Sequence, residues 1–310
     1  MEPIKNSLRQ DTDTPLITVI LSTYNWSAVL PYSIQSVLNQ TFVDFELLVI
    51  GDGCTDDSAQ VVGKFKDSRI SWINLEKNTG SQSGPNNEGL RQARGKLIAY
   101  IGHDDLWANH HLEELVALCQ HKKEVFATAA IAWFDEKCTL KHINLLNQLL
   151  DRNDRYKGWH FPSGIMHSLS LVNRVGFWSE YSPEQNYYPA SEFFSRIQKI
   201  LPKILSGSLS VVKVPAFSRE NIYATRDITP QKFLFEKLQN NPKFLNDIAT
   251  AFVLASNNQI ITVGALYKSF RYLLGNLGLR YVKRRLAALC QNKPPSKNFY
   301  RDVRRFKGLE

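Results

Sequence analysis

Short apolar runs and longer amphipathic stretches alternate through the first part of the chain. Leu16–Ser22, Phe45–Ile50, Ile70–Leu75, Leu97–Ile101 and Val125–Trp133 are compact runs rich in Ile, Leu, Val and aromatic residues. Their length and content predict buried strands. Ala28–Asn39, Thr55–Lys66, Pro85–Ala93 and Asn109–Lys122 lie between them with helical spacing. The last of these places Leu112, Leu115, Val116 and Leu118 on one face. Strands alternating with helices of this length predict βαβ units: an α/β fold with a mostly parallel central sheet flanked by helices. After Lys141 the rhythm breaks. Residues 142–190 are rich in Trp, Tyr, His, Pro and Asn and read as a loop-rich, ligand-facing region. Ser191–Leu201 reads as a helix and Leu209–Val214 as a late strand. Beyond Thr229 the segments Gln231–Gln239, Pro242–Ser256 and Thr262–Cys290 have helical spacing.

The ends of the strands are polar. Leu97–Gly102 runs through His103 into adjacent aspartates, Asp104 and Asp105. Ligands of open α/β sheets bind at the carboxyl ends of the strands. Two neighbouring carboxylates there repel each other unless a cation sits beside them. A divalent ion completed by substrate phosphates is one solution; a plain polar turn is the alternative. The first strand ends in Ser22-Thr23-Tyr24-Asn25, and the second in Gly51-Asp52-Gly53. Tyr24 can stack on a base, and the Asp52 carboxylate can accept a hydrogen bond from a base edge. Each also has a structural reading, as a strand-end aromatic and as turn chemistry. The set together favours nucleotide binding. A dinucleotide-dependent oxidoreductase would need G-x-G-x-x-G after the first strand, where this chain has Ser22 to Ser27.

In order and spacing these motifs resemble the family 2 inverting nucleotide-sugar glycosyltransferases of GT-A fold. The resemblance runs over about residues 16–107, through Asn78-Thr79-Gly80, Asn86-Asn87-Glu88-Gly89 and His103-Asp104-Asp105, with a second stretch at Phe161–Tyr181. It implies a metal-assisted transfer from a UDP- or dTDP-linked sugar, with manganese or magnesium as cofactor. Ser22, Tyr24, Asn25, Asp52, Asn87 and Asp104 would bind the nucleotide. Asp105, Asp104 and His167 would face the metal. Trp159 and Trp178 would be acceptor-side candidates. The family's base is a carboxylate ahead of an aromatic pair and an Arg; here its usual position falls on Ala190, and Glu192 is the nearest carboxylate. Glu192 as base stands against Glu192 as a first-turn acid that complements the helix dipole. The chain departs from the family at His103, Asn86 and Gly51, where relatives often carry Asp, Arg or Lys, and Asp.

Composition adds a boundary. Of 38 Lys and Arg, twelve fall within residues 261–310 against two acids, so that segment carries +10 while the other 260 residues carry −1. The basic helical stretch could lie on an anionic membrane surface, each cation contributing about 1 kcal/mol, or be a solvated face. No nucleic-acid module accompanies it. The expected domains are a disordered stretch over residues 1–14, a glycosyltransferase unit over 15–225 and a basic extension over 226–310. The unit divides into a nucleotide-binding half, 15–107, and an acceptor-side half, 108–225. The polar start, the four scattered cysteines and the lack of any apolar run near ~18–20 residues predict a cytoplasmic protein, peripheral at most. The expected acceptor is a glycan or lipid-linked glycan of cell-surface polysaccharide synthesis. The alternative is a catalytically degenerate relative that binds nucleotide sugar or partners another glycosyltransferase.

Overall fold

The computed structural model describes residues 14–143, 160–180, 188–214 and 227–251. The first four strands are β1 (Ile17–Thr23), β2 (Phe45–Gly51), β3 (Ile70–Asn74) and β4 (Leu97–Gly102). They pair in parallel in the order β3-β2-β1-β4. The sheet then continues through β8 (Ile165–Ser168), β6 (Phe126–Phe134), β9 (Ile204–Lys213) and β5 (Asp105–Trp107), with β7 (Leu140–Ile143) beside β6. In this second half β6 and β9 are parallel; β4–β8, β8–β6, β6–β7 and β9–β5 are antiparallel. The parallel half is the one whose βαβ rhythm is regular in sequence. The mixed half is built where that rhythm fails, mostly from strands whose partners lie far along the chain.

Helices cover both faces: α1 (Leu30–Leu38), α2 (Ser58–Gly63), α3 (Ser83–Gln92), α4 (His111–Ala117), α5 (Ser170–Val175), α6 (Pro189–Ile200) and α7 (Thr229–Asn240). Because side chains alternate along a strand, odd and even residues serve different layers. Val19, Leu21, Leu47, Val49, Ala99 and Ile101 pack with Leu30, Ile34 and Val37 of α1 and Leu112 and Leu115 of α4. Ile20, Leu48, Ile50, Ile98 and Tyr100 pack with Leu90 of α3, Leu171 of α5, and Phe193 and Phe194 of α6. Burial on both faces is why these strands read as unbroken apolar runs.

A third cluster joins Leu106, Ala130, Ala132, Phe134 and Val212 to Leu234 and Leu245. Asn39 donates from Nδ2 to Gln239 Oε1 at 2.7 Å, and Phe134 stacks on Phe244. Residues 229–245 therefore complete this core, and the basic stretch 261–310 lies outside the described residues. No helix among the described residues is long and apolar enough to cross a membrane.

Candidate active site

β1 leads to β2 on one side and is joined to β4 on the other, so the strand order reverses between β1 and β4. A crevice opens at the carboxyl ends of strands at such a switch point. Register puts Ser22 opposite Gly102 there. The two strand ends are tied by one imidazole: His103 Nδ1 lies 2.9 Å from Thr23 Oγ1 and accepts the Tyr24 N–H at 3.3 Å. Trp26 meets the same ring edge-on. The histidine thus fixes half-buried Tyr24 beside half-buried Asp104.

Asp52 is 5% exposed and forms the second wall. Its Oδ1 accepts from the Thr79 N–H at 2.9 Å and the Thr79 hydroxyl at 2.7 Å. Asn78 Nδ2 donates to the Asp52 carbonyl at 3.2 Å. The Asn78-Thr79-Gly80 stretch is therefore folded over the end of β2 by the carboxylate expected to meet a base. Asn25 adopts positive φ (43°), and its Oδ1 accepts from the N–H groups of Thr55 at 2.7 Å and Asp56 at 3.3 Å. Asn25 is thereby a tie between two loops, and contributes to the nucleotide region by shaping it.

The aspartates converge. A Cβ added to Gly102 would lie 3.1 Å from Asp104 Oδ1 and 3.2 Å from Asp105 Oδ2, so both carboxylates fold over the one residue without a side chain. Their environments differ. Asp105 is 1% exposed; its Oδ1 and Oδ2 lie 2.7 and 2.8 Å from Lys213 Nζ, and Ser163 Oγ donates to Oδ2. Ser163 also accepts the Gly102 N–H at 3.1 Å, and its carbonyl accepts from the Trp107 indole at 2.7 Å. Burial alone would lower the Lys213 pKa, but the charges of Asp105 and Asp104 hold the ammonium above its ordinary value. The cation that two adjacent carboxylates require is thus present in the chain itself. Lys213 was missed in the sequence; its signal was a lone lysine closing the apolar run Leu209–Val212. Asp105, expected to face a metal, is instead committed to this ion pair, and Asp104 is the carboxylate that remains half-exposed. Tyr188, also missed, lies against the same charges, with its hydroxyl 3.3 Å from Gln82 Nε2.

Other expected site residues turn out to build the scaffold. His167 is 0% exposed, with Nε2 2.9 Å from the Tyr100 hydroxyl and Nδ1 2.9 Å from the Ser168 carbonyl. Burial lowers its pKa to about 4. Both nitrogens are engaged in the core, which corrects the expectation of a metal ligand. Trp178 is 2% exposed and stacks on Phe193 at 5.0 Å, so it is core and not an acceptor platform. Asn87 exchanges two hydrogen bonds with the Trp178 backbone, at 2.9 and 2.8 Å. It anchors that turn against α3 and is not presented to a nucleotide. Trp159 lies outside the described residues. Glu192 is in the first turn of α6, with Oε1 2.8 Å from Arg196 Nε and Oε2 accepting from Ser179 Oγ at 2.8 Å. Arg196 also donates to the carbonyls of Val175 and Phe177. Ala190, at the family's base position, is fully buried. Among the described residues no group of three or more His, Cys, Asp or Glu side chains is arranged to hold a metal ion.

Comparison with known proteins agrees with this architecture. A 36% identical stretch of 106 residues, covering 34% of this chain and 42% of the relative, matches the UDP-Glc:alpha-D-GlcNAc-diphosphoundecaprenol beta-1,3-glucosyltransferase WfgD of Escherichia coli. A 32% identical stretch of 141 residues, covering 45% of this chain and 38% of the relative, matches the uncharacterized glycosyltransferase alr2836 of Nostoc sp.. The chain thus spans less than half the length of these curated relatives. Among solved structures, S. aureus TarS 1–349 in complex with UDP-GlcNAc is similar with a TM-score of 0.55 at 19% identity, over 64% of this chain and 58% of that one. At that identity the likeness bears on the fold, which is GT-A-like. The family described as Glycosyl transferase family 2 matches residues 18–176, and the chain belongs to it.

Proposed function

We propose that this glycosyltransferase moves a sugar from a UDP- or dTDP-linked donor to a glycan or lipid-linked acceptor, with inversion, in cell-surface polysaccharide synthesis. The observation that carries the donor site is the placement of Tyr24 and Asp104 at the ends of β1 and β4, joined through His103, with Asp52 at the end of neighbouring β2, its N–H bonded to the Thr23 carbonyl at 2.8 Å. Tyr24 and Asp52 hold the base, with Ser22 beside them at the end of β1. Asp104 faces the ribose and diphosphate. The acceptor class is suggested by the name of the WfgD relative, whose substrate is a diphosphoundecaprenol-linked sugar.

One half-exposed carboxylate fits a hard divalent cation whose remaining ligands come from a diphosphate, a common arrangement for magnesium and manganese. Asp104, the half-exposed carboxylate of the pair, is the residue that would hold it. When bound, such an ion supplies charge neutralisation on the departing diphosphate. A Pyrobaculum calidifontis mannosyltransferase of similar fold, TM-score 0.51 at 18% identity over 96% of this chain and 86% of that one, is described in complex with GDP-Man and Mn2+.

Glu192 takes the acceptor proton in this proposal, acting from within its pair with Arg196. The burial of Ala190 and that same pairing favour a second reading, a relative that binds nucleotide sugar without turnover, as a partner of another glycosyltransferase. We place the enzyme at the cytoplasmic face of a membrane, held by residues 262–310. Pelleting with anionic vesicles at low salt tests that placement, and a protein that stays in the supernatant contradicts it.

The donor site is tested by thermal shift with UDP and dTDP, with and without manganese, on wild type and Asp104→Ala. A ligand of the folded state raises the melting temperature by mass action. The expected result is a manganese-dependent rise that Asp104→Ala abolishes. No rise with either nucleotide refutes the donor site. Binding without release of sugar to any acceptor selects the second reading.

A further inference from the structure

The loop that follows β2 is fastened on two sides through Cys54. Register places Asn74, the last residue of β3, opposite Gly51, the last of β2. The Asn74 amide reaches past that glycine: Oδ1 accepts the Cys54 N–H at 2.8 Å, and Nδ2 donates to the Cys54 carbonyl at 2.9 Å. A Cβ on residue 51 would lie 2.4 Å from this Oδ1 and 2.7 Å from the Trp72 ring, so any side chain there would displace the amide. On its other side Cys54 is joined to β1. Its Sγ accepts the Asn25 N–H at 3.4 Å and donates to the Thr23 carbonyl at 3.6 Å. Burial pushes the thiol above its ordinary pKa, so it keeps the proton that it donates. Thr23 and Asn25 flank Tyr24, and Cys54 stands two residues after Asp52. One residue thus couples the backbone around Tyr24 to the loop that carries Asp52, and Asn74 anchors that residue to β3.

We infer that Cys54 and Asn74 are positioning residues for the nucleotide base. They set the spacing between the Tyr24 and Asp52 segments before a nucleotide arrives, so that binding does not bear the cost of ordering the loop. This rests on the donor-site reading above. The Asn74 side chain is exposed, and its removal opens no cavity in the core. A joint that served only stability would lower the melting temperature and leave the affinity of folded protein unchanged, which gives the two roles different readouts.

The test uses the full chain and two readouts. The first is isothermal titration with UDP and dTDP under one fixed metal condition. For whichever nucleotide binds wild type, folded Asn74→Ala and Cys54→Ala are each expected to bind at least about tenfold more weakly, through the restored cost of ordering the loop. Cys54→Ser keeps a donor and acceptor at that position and should recover part of the loss. The second readout needs no nucleotide: the rate at which iodoacetamide alkylates Cys54, followed by peptide mass mapping so that the other cysteines do not count. Asn74→Ala should raise that rate at least about tenfold, as a loop released from β3 opens more often. Asn74→Ala decides the matter alone if circular dichroism shows the Cys54 variants unfolded. Wild-type affinity in folded Asn74→Ala overturns the positioning role and leaves the donor site standing. An unchanged alkylation rate shows that Asn74 does not hold the loop, and overturns it as well. Wild type that binds neither nucleotide defeats the donor-site reading and this inference together.

Discussion

A carboxylate that is 1% exposed and bound by an ammonium on both oxygens has no face left for a ligand; Asp105 is held so, whereas the chemically identical Asp104 is half-exposed. Breaking a buried pair by removing one partner typically costs about 3–5 kcal/mol, because the survivor is left charged and unsolvated. Asp105→Ala should therefore act first on stability, and Asp104→Ala on nucleotide affinity. Asn87 shows the same division between site and scaffold. Its amide closes a two-bond bridge to the Trp178 backbone, and Asn87→Ala leaves a buried N–H and C=O unpaired. A loss of roughly 1–3 kcal/mol per stranded group follows. Urea unfolding should show a lower midpoint with unchanged slope, and an unaltered midpoint would remove Asn87 from the scaffold.

Among the elements, α3 approaches the sheet closely enough to make a glycine structural. Gly to Ala in a helix interior ordinarily stabilises by about 0.5–1 kcal/mol. At Gly89 the new methyl would lie 2.6–2.9 Å from three carbons of Ile20, which is fully buried. Overpacking of a core costs about 1–3 kcal/mol, so Gly89→Ala should destabilise, with a melting temperature below wild type; a rise would contradict this packing. Helix α6 carries the candidate base in its first turn, where the carboxylate and Arg196 together pin the Val175–Ser179 turn. If Glu192 takes the proton, Glu192→Gln should lower kcat at least about 100-fold with donor KM unchanged. A kcat close to wild type in folded protein would leave Glu192 a purely structural acid. That Glu192 stands in a helical first turn was legible from Pro189 and the apolar spacing after it. That its partner is Arg196 as well as Ser179 was not, because the latter contact spans two elements.

For the whole molecule, three of the four buried histidines set an acid limit. His111, His160 and His167 are 0%, 5% and 0% exposed. Burial lowers their pKa values to about 3, 3 and 4, from an ordinary 6.5. Below pH 6.5 the unfolded chain takes up protons that the folded chain refuses, so stability falls as pH falls from 6.5 toward the folded values. Between pH 7 and 5 the loss is roughly 2 kcal/mol for each histidine, at about 1.4 kcal/mol per pH unit. Urea midpoints at the two pH values measure it, and a flat profile would mean these rings are protonated in the folded protein.

The sequence alone determined the parallel half of the sheet. Strands buried on both faces must be apolar throughout, and the helices between them must be amphipathic, so β1 to β4 and α1 to α4 were readable within a few residues. It also marked the carboxyl ends of those strands as the chemical edge, because polar signatures recur only there. Three things waited for the tertiary structure. The mixed half is held by pairings between residues far apart in the chain, such as Asp105 with Lys213 across 108 positions. The scaffold roles of His167, Trp178 and Asn87 depend on which neighbours satisfy their polar atoms, and no spacing encodes that. The identity of the cation beside Asp104 and Asp105 was decided by register on β9: electrostatics required a positive charge at that point, and only the fold could bring Lys213 to it.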